Sequence, residues 1–411
     1  MKSGRMLSFQ DARRAILQTV PTMSTESAVL REAYHRILAA DVVAGMDLPP
    51  FDNSSMDGYA IRSSDTANAT GGNRMRLNIA GEVSAGQISR RELQPGTAVR
   101  IMTGAPIPEG ADAVIEQELV DLRNGVIELH TRVAEGRNVR RRGEETQKGE
   151  IVLRKGTRLT PACVGVLASL GITHVELHVR PSVALLTTGS EIVGVEEPLA
   201  PGKIRNSNAY TLWGLVVESG GNPVDLGKAG DDEEEIRSKI ELGLQNDVLV
   251  TSGGVSVGKH DLVLHVLKEL GVAIQFWKVN IKPGMPMAFG LYRSAQSRIV
   301  PVFALPGNPV STMVTFLQFV RPALTRMSGG VDDKPSLKLS AKLEHDIPKT
   351  DEKRHFSRGI VRNVQGNLFV RTTGSQSSGM LSSLVIANCL IVIPEERKDL
   401  KAGDEVEIEL L

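Results

Sequence analysis

From Pro181 to about Gly330, short apolar runs alternate with helical segments, and no other feature limits the possible folds as strongly. Strand-like "SVALLTT", "PVDLGKA" and "DVLVTS" alternate with helix-like "NAYTLWGLVVESGG", "DDEEEIRSKIELGLQ" and "HDLVLHVLKELG". Strands "VAIQFWKV" and "IVPVFAL" and helix "VSTMVTFLQFVRPALTRM" complete the series. Parallel neighbours need a crossover, and a helix is the usual one, so the pattern predicts βαβ units and a mostly parallel sheet. In such open sheets ligands bind beyond the carboxyl ends of the strands. Three strand ends here give up bulk for Gly, Ser, Thr, Asn or Pro: "LLTTGSE", "VTSGGVSVGKHD" and "FALPGNPVS". Tight βα turns favour glycine by themselves, but three such loops in one domain point to a phosphate-bearing ligand approached by backbone amides.

A chain of 411 residues exceeds one ordinary core. Residues 1–45 read as helical in "FQDARRAILQTV" and "ESAVLREAYHRILAADVV", with apolar residues at three- and four-residue steps. Residues 46–150 are rich in Gly, Pro and short apolar runs, the texture of a β-rich insertion. Helical texture returns in "LTPACVGVLASLGI", where Thr160 suits a cap, Pro161 the first turn and Gly171 the end. The division expected is a helical linking domain of 1–45 and 151–180, a β-rich insertion of 46–150 and an α/β domain of 181–330. Alternating segments after that predict a small β-barrel-like domain of 331–411.

Lys plus Arg and Asp plus Glu balance at 48 each, so no overall field favours nucleic acid or an anionic membrane. Aromatics at 4% are too sparse for base-stacking platforms. Cys163 and Cys389 lack metal-ligand spacing and read as reduced thiols of a cytoplasmic protein. The start "MKSGRMLSFQDARR" does not read as a signal peptide, and no apolar run reaches a membrane span. His174 and His178 are four apart in β-like sequence, so zinc is not expected. Neither a GxGxxG after a strand nor a GxxxxGK[ST] loop is present.

Charged residues gather at the same loops. Glu191 follows the first strand end, Asp231 and Asp232 open a helix, and Asp261 closes the glycine loop. Asp232 reads as a helix cap, and Asp261 could be another. As oxygen donors these acids could instead hold Mg²⁺ against phosphate. Lys278 and Lys282 follow a strand beside Pro283 and Gly284 and suit an anion-binding turn, although lysines are usually solvated. Arg140, Arg141 and Arg142 are either a surface patch or guanidinium forks for phosphate. In "PPFDNSSMDGYAIR", polar side chains crowd before Asp57 more densely than a turn requires, which makes Asp57 a candidate on a loop.

These motifs are recognisable together. "FDNSSMDGYA", "RIMTGAPIPEGADAV", "NVRRRGEE", "TTGSE", "SGGVSVGKHD", "FWKVNIKPGMP" and "LPGNPVS", in this order along essentially the whole chain, resemble the molybdopterin molybdenumtransferase family. That is the bacterial MoeA family, similar to the C-terminal part of gephyrin. The resemblance implies a four-domain homodimer in which the insertion of one subunit and the βαβ domain of its partner form the cleft. It implies insertion of molybdate into adenylylated molybdopterin with Mg²⁺ and hydrolysis of the adenylate, releasing AMP. A molybdopterin adenylyltransferase and molybdoenzyme-maturation proteins are the partners it suggests. By the same resemblance, Asp57, Thr103, Glu191, Asp231 and Asp261 are catalytic candidates, with Glu191 and Asp261 at the metal. Substrate contacts would come from Arg140, Arg141, Arg142, Gly253, Gly254, Ser256, Lys278, Lys282, Pro306, Pro309, Arg358 and Ser378. Three positions depart from the family pattern: Ser190 stands where an acid is usual, Met285 where lysine is frequent, and Glu145 where aspartate is common. A pterin-binding scaffold and a tungstate-inserting variant are the alternatives.

Overall fold

The structure, a computed structural model, describes residues 6–89, 91–255, 262–330 and 339–411. The α/β domain is built on a six-stranded sheet: β1 (Ser182–Thr188), β2 (Asn222–Ala229), β3 (Val248–Ser252), β4 (Ala273–Trp277), β5 (Ala288–Arg293) and β6 (Ile299–Leu305). Its spatial order is β2-β1-β3-β6-β5-β4. The first four strands in that order run parallel, while β5 pairs antiparallel with both β6 and β4. Strands β1 and β3 are buried along nearly their whole length, as parallel strands covered on both faces must be. Strand β5, "AFGLYR", is absent from the alternation read in the sequence. It needs no crossover helix, because an antiparallel partner can follow a short loop.

Helix Phe9–Thr19 starts at Ser8, whose Oγ accepts from Asp11 N at 3.1 Å. Its apolar face enters the α/β core: the Phe9 ring lies 5.6 Å from Phe319 and 5.3 Å from Phe356. It thus packs against the α/β and C-terminal domains, whereas the sequence reading placed it with the linking domain. The second segment read as helical is also different. Thr25–Val29 is a strand paired antiparallel with His174–His178, and only Leu30–Glu32 turns helically. Its backbone donors are taken by a partner some 150 residues away, and tertiary pairing overrides the local periodicity. Helix Pro161–Ser169 starts as expected, with Thr160 Oγ1 accepting from Cys163 N at 3.3 Å. It shares a small core with Ala28, Leu38, Leu159 and Leu177.

Residues of the insertion form a six-stranded sheet ordered Ala113–Glu116, Gly58–Ile61, Thr97–Ile101, Met75–Val83, Val126–Leu129 and Val120–Arg123. In the C-terminal region, Arg354–Val364, Asn367–Thr372, Leu339–Leu343, Glu405–Leu410 and Cys389–Ile393 close on themselves as a five-stranded barrel. The turn at "QGN" is tight: Val364 pairs with Asn367, with Gln365 and Gly366 both at positive φ. Cys389 is sealed in this barrel, and burial pushes its thiol up to about 11.

Candidate functional site

The three strand ends meet. A cavity of about 430 Å³ opens beyond β1, β3 and β6, lined by Thr188, Gly189 and Glu191, by Gly253, Gly254 and Val255, and by Pro306 to Pro309. The start of helix Ser207–Glu218, Asp231 and Pro286 close the remaining walls. Below it runs a buried polar network. Asn208 Nδ2 donates to Gly307 O at 2.7 Å and to Ser252 Oγ at 2.9 Å, and Ser252 Oγ donates to Pro306 O at 3.1 Å. Thr312 Oγ1 also donates to Pro306 O, at 2.6 Å. Asn206 caps the helix, its Oδ1 accepting from Ala209 N, and its Nδ2 donates to Thr187 Oγ1 at 2.7 Å. These asparagines were not singled out in the sequence, although amides in "RNSN" directly before a helix are a readable sign.

The bare loop after β3 has a packing cause. Gly253 and Gly254 take φ of 99° and 65°, and a Cβ on Gly253 would lie 2.3 Å from Thr188 O. On Gly254 it would lie 2.5 Å from Val263 Cγ2. Only glycine lets the β1 and β3 ends close over one another. The same closure leaves Thr188 Oγ1, Thr251 Oγ1 and Asn208 Oδ1 buried with no hydrogen-bond partner among the described residues. An unmet buried group costs roughly 1–3 kcal/mol, and each such group needs an explanation.

Glu191 and Asp231 both line the cavity, and among the described residues neither carboxylate has a basic partner. Asp232 is the cap anticipated, its Oδ1 accepting from Glu235 N at 2.8 Å. Arg205 also lines the cavity, but its Nη1 is held by Gly194 O and Glu197 O at 2.8 and 2.7 Å. Lys203 donates to Ser190 O at 2.6 Å. Ser256 and Asp261 lie outside the described residues.

The two candidate lysines do not line this cavity. Lys278 lies over the Trp277 ring at 4.3 Å, at a backbone φ of 73°. Lys282 pairs with Asp351 of the barrel at 3.2 Å. Adjacent prolines and glycines indicate a fixed turn, but not the direction in which its side chains leave it. Arg358 does not line this cavity either. It is 1% exposed, donating to Ser383 Oγ and Ser377 O, both at 3.0 Å. Burial lowers its pKa, yet an arginine stays charged at neutral pH. Its bonds to Ser375 O and Ser377 O hold the loop that carries Ser378. That residue does reach the site: Asn308 Nδ2 donates to Ser378 Oγ at 3.0 Å, and Val310 N donates to Ser378 O at 3.1 Å.

A second group forms in the insertion. Thr103 donates from both its N–H and its hydroxyl to Asp57 Oδ1, each at 2.7 Å. These bonds, with Arg100 nearby, hold the exposed Asp57 carboxyl below its ordinary range. Strand Asn53–Ser54 pairs with Val139–Arg140, so Arg140 joins the same surface. Arg141 and Arg142 are committed locally. Arg141 pairs with Asp52 at 2.7 Å, while Arg142 donates its N–H to Asp52 at 2.8 Å and its side chain to Asp47. None of the described residues of 46–150 lines the strand-end cavity of its own chain.

The sequence matches three family models in succession: "MoeA N-terminal region (domain I and II)" over residues 7–171, "Probable molybdopterin binding domain" over 184–326 and "MoeA C-terminal region (domain IV)" over 340–411. It is 40% identical to a molybdopterin molybdenumtransferase of Haemophilus influenzae, across 98% of both chains. The chain belongs to the molybdopterin molybdenumtransferase family. A Bacillus subtilis protein of that name is 37% identical over 98% of this chain and 94% of its own. The crystal structure of a molybdopterin biosynthesis MoeA protein from Pyrococcus horikoshii superposes with a TM-score of 0.84 at 35% identity, covering 99% of this chain and all of that one. The family's fold is therefore present along the full length, including the closed C-terminal barrel and the α/β domain that carries the cavity.

Proposed function

We propose that this chain inserts molybdate into adenylylated molybdopterin, with hydrolysis of the adenylate and release of AMP. One observation carries the reading beyond family membership: three strand-end loops converge on a single cavity that presents Glu191, Asp231 and unpartnered oxygen atoms. Two carboxylates, Glu191 and Asp231, stand among this lining, and paired carboxylate oxygens fit a hard cation. Glu191 and Asp231 are the described residues that would hold Mg²⁺. When bound, the ion would offset phosphate charge and polarise the P–O–P linkage.

This chain's residues would do the positioning. The amides of Gly253 to Val255 and Gly307 would line the pyrophosphate, with Asn208 and Thr188 accepting or donating from beneath. Lys278 and Lys282 would act at the margin, the second by fixing the barrel against the α/β domain. Because the Asp57–Thr103 pair lies apart from its own chain's cavity, we infer a homodimer in which it faces the partner's. Asp57, held ionised by Thr103, would there orient a proton of the bound substrate or of the attacking water.

The test supplies adenylylated molybdopterin, molybdate and Mg²⁺ and measures AMP together with molybdenum cofactor. Both should form in step. Tight pterin binding by folded protein without AMP release would instead identify a scaffold. Faster release with tungstate would identify the other metal.

A further inference from the structure

A second cavity, of about 380 Å³, lies where the linking region meets the α/β domain, beside the residues that lead into β1 and β2 and so at the opposite end of those strands from the first. We propose that it binds a small tetrahedral oxyanion of phosphate type. Its charged lining is Arg36, Arg158 and Arg180 against the single acid Glu218. Arg158 donates to His35 O at 3.1 Å and Arg180 to Tyr34 O at 3.5 Å, and neither guanidinium meets a carboxylate among the described residues. Arg36 is only 9% exposed. Its Nη2 serves Glu26 and, at 2.9 Å, His178 O, while its Nε–H is buried without a partner.

Two neighbours repeat that signal. His178 is 7% exposed, and its Nδ1 lies 3.0 Å from Met23 O; a carbonyl only accepts, so Nδ1 carries the proton. His178 Nε2 and Ser328 Oγ are both buried and unpartnered. Seven side-chain polar atoms share that condition among the described residues; three belong to residues lining this cavity, two to residues lining the strand-end cavity, and another, Thr251 Oγ1, lies on β3 just before that cavity's glycine loop. The sign that marks the first site therefore marks the second equally. Water could satisfy the orphaned atoms but would leave Arg158 and Arg180 without a counter-charge, whereas hydrogen phosphate does both: its oxygens accept from Arg36 Nε and Ser328 Oγ, and its P–OH donates to His178 Nε2. Guanidinium forks match tetrahedral oxygens. Since the walls come from both 34–37 and 217–220, a bound anion would also tie the two regions together.

The proposal stands independently of the transferase reading. Isothermal titration of the full-length protein with inorganic phosphate, against chloride of matched ionic strength, should show saturable binding. The double variant Arg158→Gln, Arg180→Gln removes one bond of each guanidinium to a backbone carbonyl and no ion pair among the described residues, and its thermal midpoint in chloride should stay near the parent's. Its phosphate affinity should fall by about tenfold or more, as expected for losing two charge-assisted contacts. Crystals of the unaltered protein soaked in arsenate, which keeps a proton at neutral pH as phosphate does, should give an anomalous peak beside Arg36. An unchanged affinity in the variant, no saturable binding in the parent, or an arsenate peak confined to the strand-end cavity would each overturn it.

Discussion

Asp57 shows how little chemistry an exposed carboxylate needs to become specialised. One of its oxygens takes both donors of Thr103, so the group is oriented as well as ionised. Asp57→Ala should leave the thermal midpoint nearly unchanged, since the side chain is at the surface and buries nothing. AMP release should fall by about 100-fold or more, the usual worth of a placed acid–base group. Equal losses of turnover and of midpoint would show a structural role instead. Gly253 makes the opposite case. A methyl group there meets Thr188 O at 2.3 Å, and the residue's φ of 99° already excludes side chains. Gly253→Ala should therefore cost roughly 1–3 kcal/mol in denaturant unfolding, because strain of this kind persists only where surrounding structure imposes it. A variant as stable as the parent would mean that the loop can relax, and that its bareness serves the ligand alone.

At the level of elements, the short strand Ile281–Lys282 pairs with Arg354 and His355 and couples the α/β domain to the barrel. Asp351 anchors the joint, accepting from Lys282, from Lys353 N at 3.1 Å and from His355 at 2.7 Å. Burial pushes the Asp351 carboxyl up, but these bonds outweigh it and hold it at about 2, against an ordinary 3.8. A carboxyl depressed in the fold lends stability above its unfolded pKa and loses it as pH falls through the folded one. The contribution, on the order of 1–2 kcal/mol, is thus complete above about pH 4 and lost towards pH 2. Burial lowers the His355 pKa against the pull of Asp351, so acid works against the joint from the ordinary 6.5 downward. Asp351→Asn should flatten the acid limb of a stability–pH curve below pH 4; an unaltered limb would place the acid sensitivity elsewhere. This joint also shows what a sequence carries. The strand-end loops were legible because backbone closure demands Gly, Pro and Asn at fixed places. The destination of Lys282 was not, since it depends on a partner 69 residues on. Strand β5 and the Thr25–Val29 strand were missed for a related reason: each is defined by the strand it pairs with, not by its own periodicity. Asp261, read as closing the glycine loop, and Ser256, a candidate substrate contact, lie outside the described residues; among those described, the acids lining the cavity are Glu191 and Asp231.

For the whole molecule, the decisive matter is that its two groups of candidate residues do not share a cavity. Thr188, Gly189, Glu191, Gly253 to Val255 and Asp231 line one, and Asp57 with Thr103 sits in the insertion without contributing to it. If each site is built from two subunits, the groups should complement one another between chains. Asp57→Ala protein and Asp231→Ala protein, each inactive alone, would be mixed under conditions that exchange subunits. Random pairing makes half the dimers mixed, and each mixed dimer holds one site with neither substitution and one with both, so AMP release should recover to about a quarter of the parent rate. A single-chain site admits no such rescue: every site would keep one defect, and the mixture would stay as inactive as its components. The recovered fraction thus tests the dimer and the division of labour together, and a Gly253→Ala protein substituted for the Asp231 variant should behave in the same way if its defect is confined to the strand-end loop.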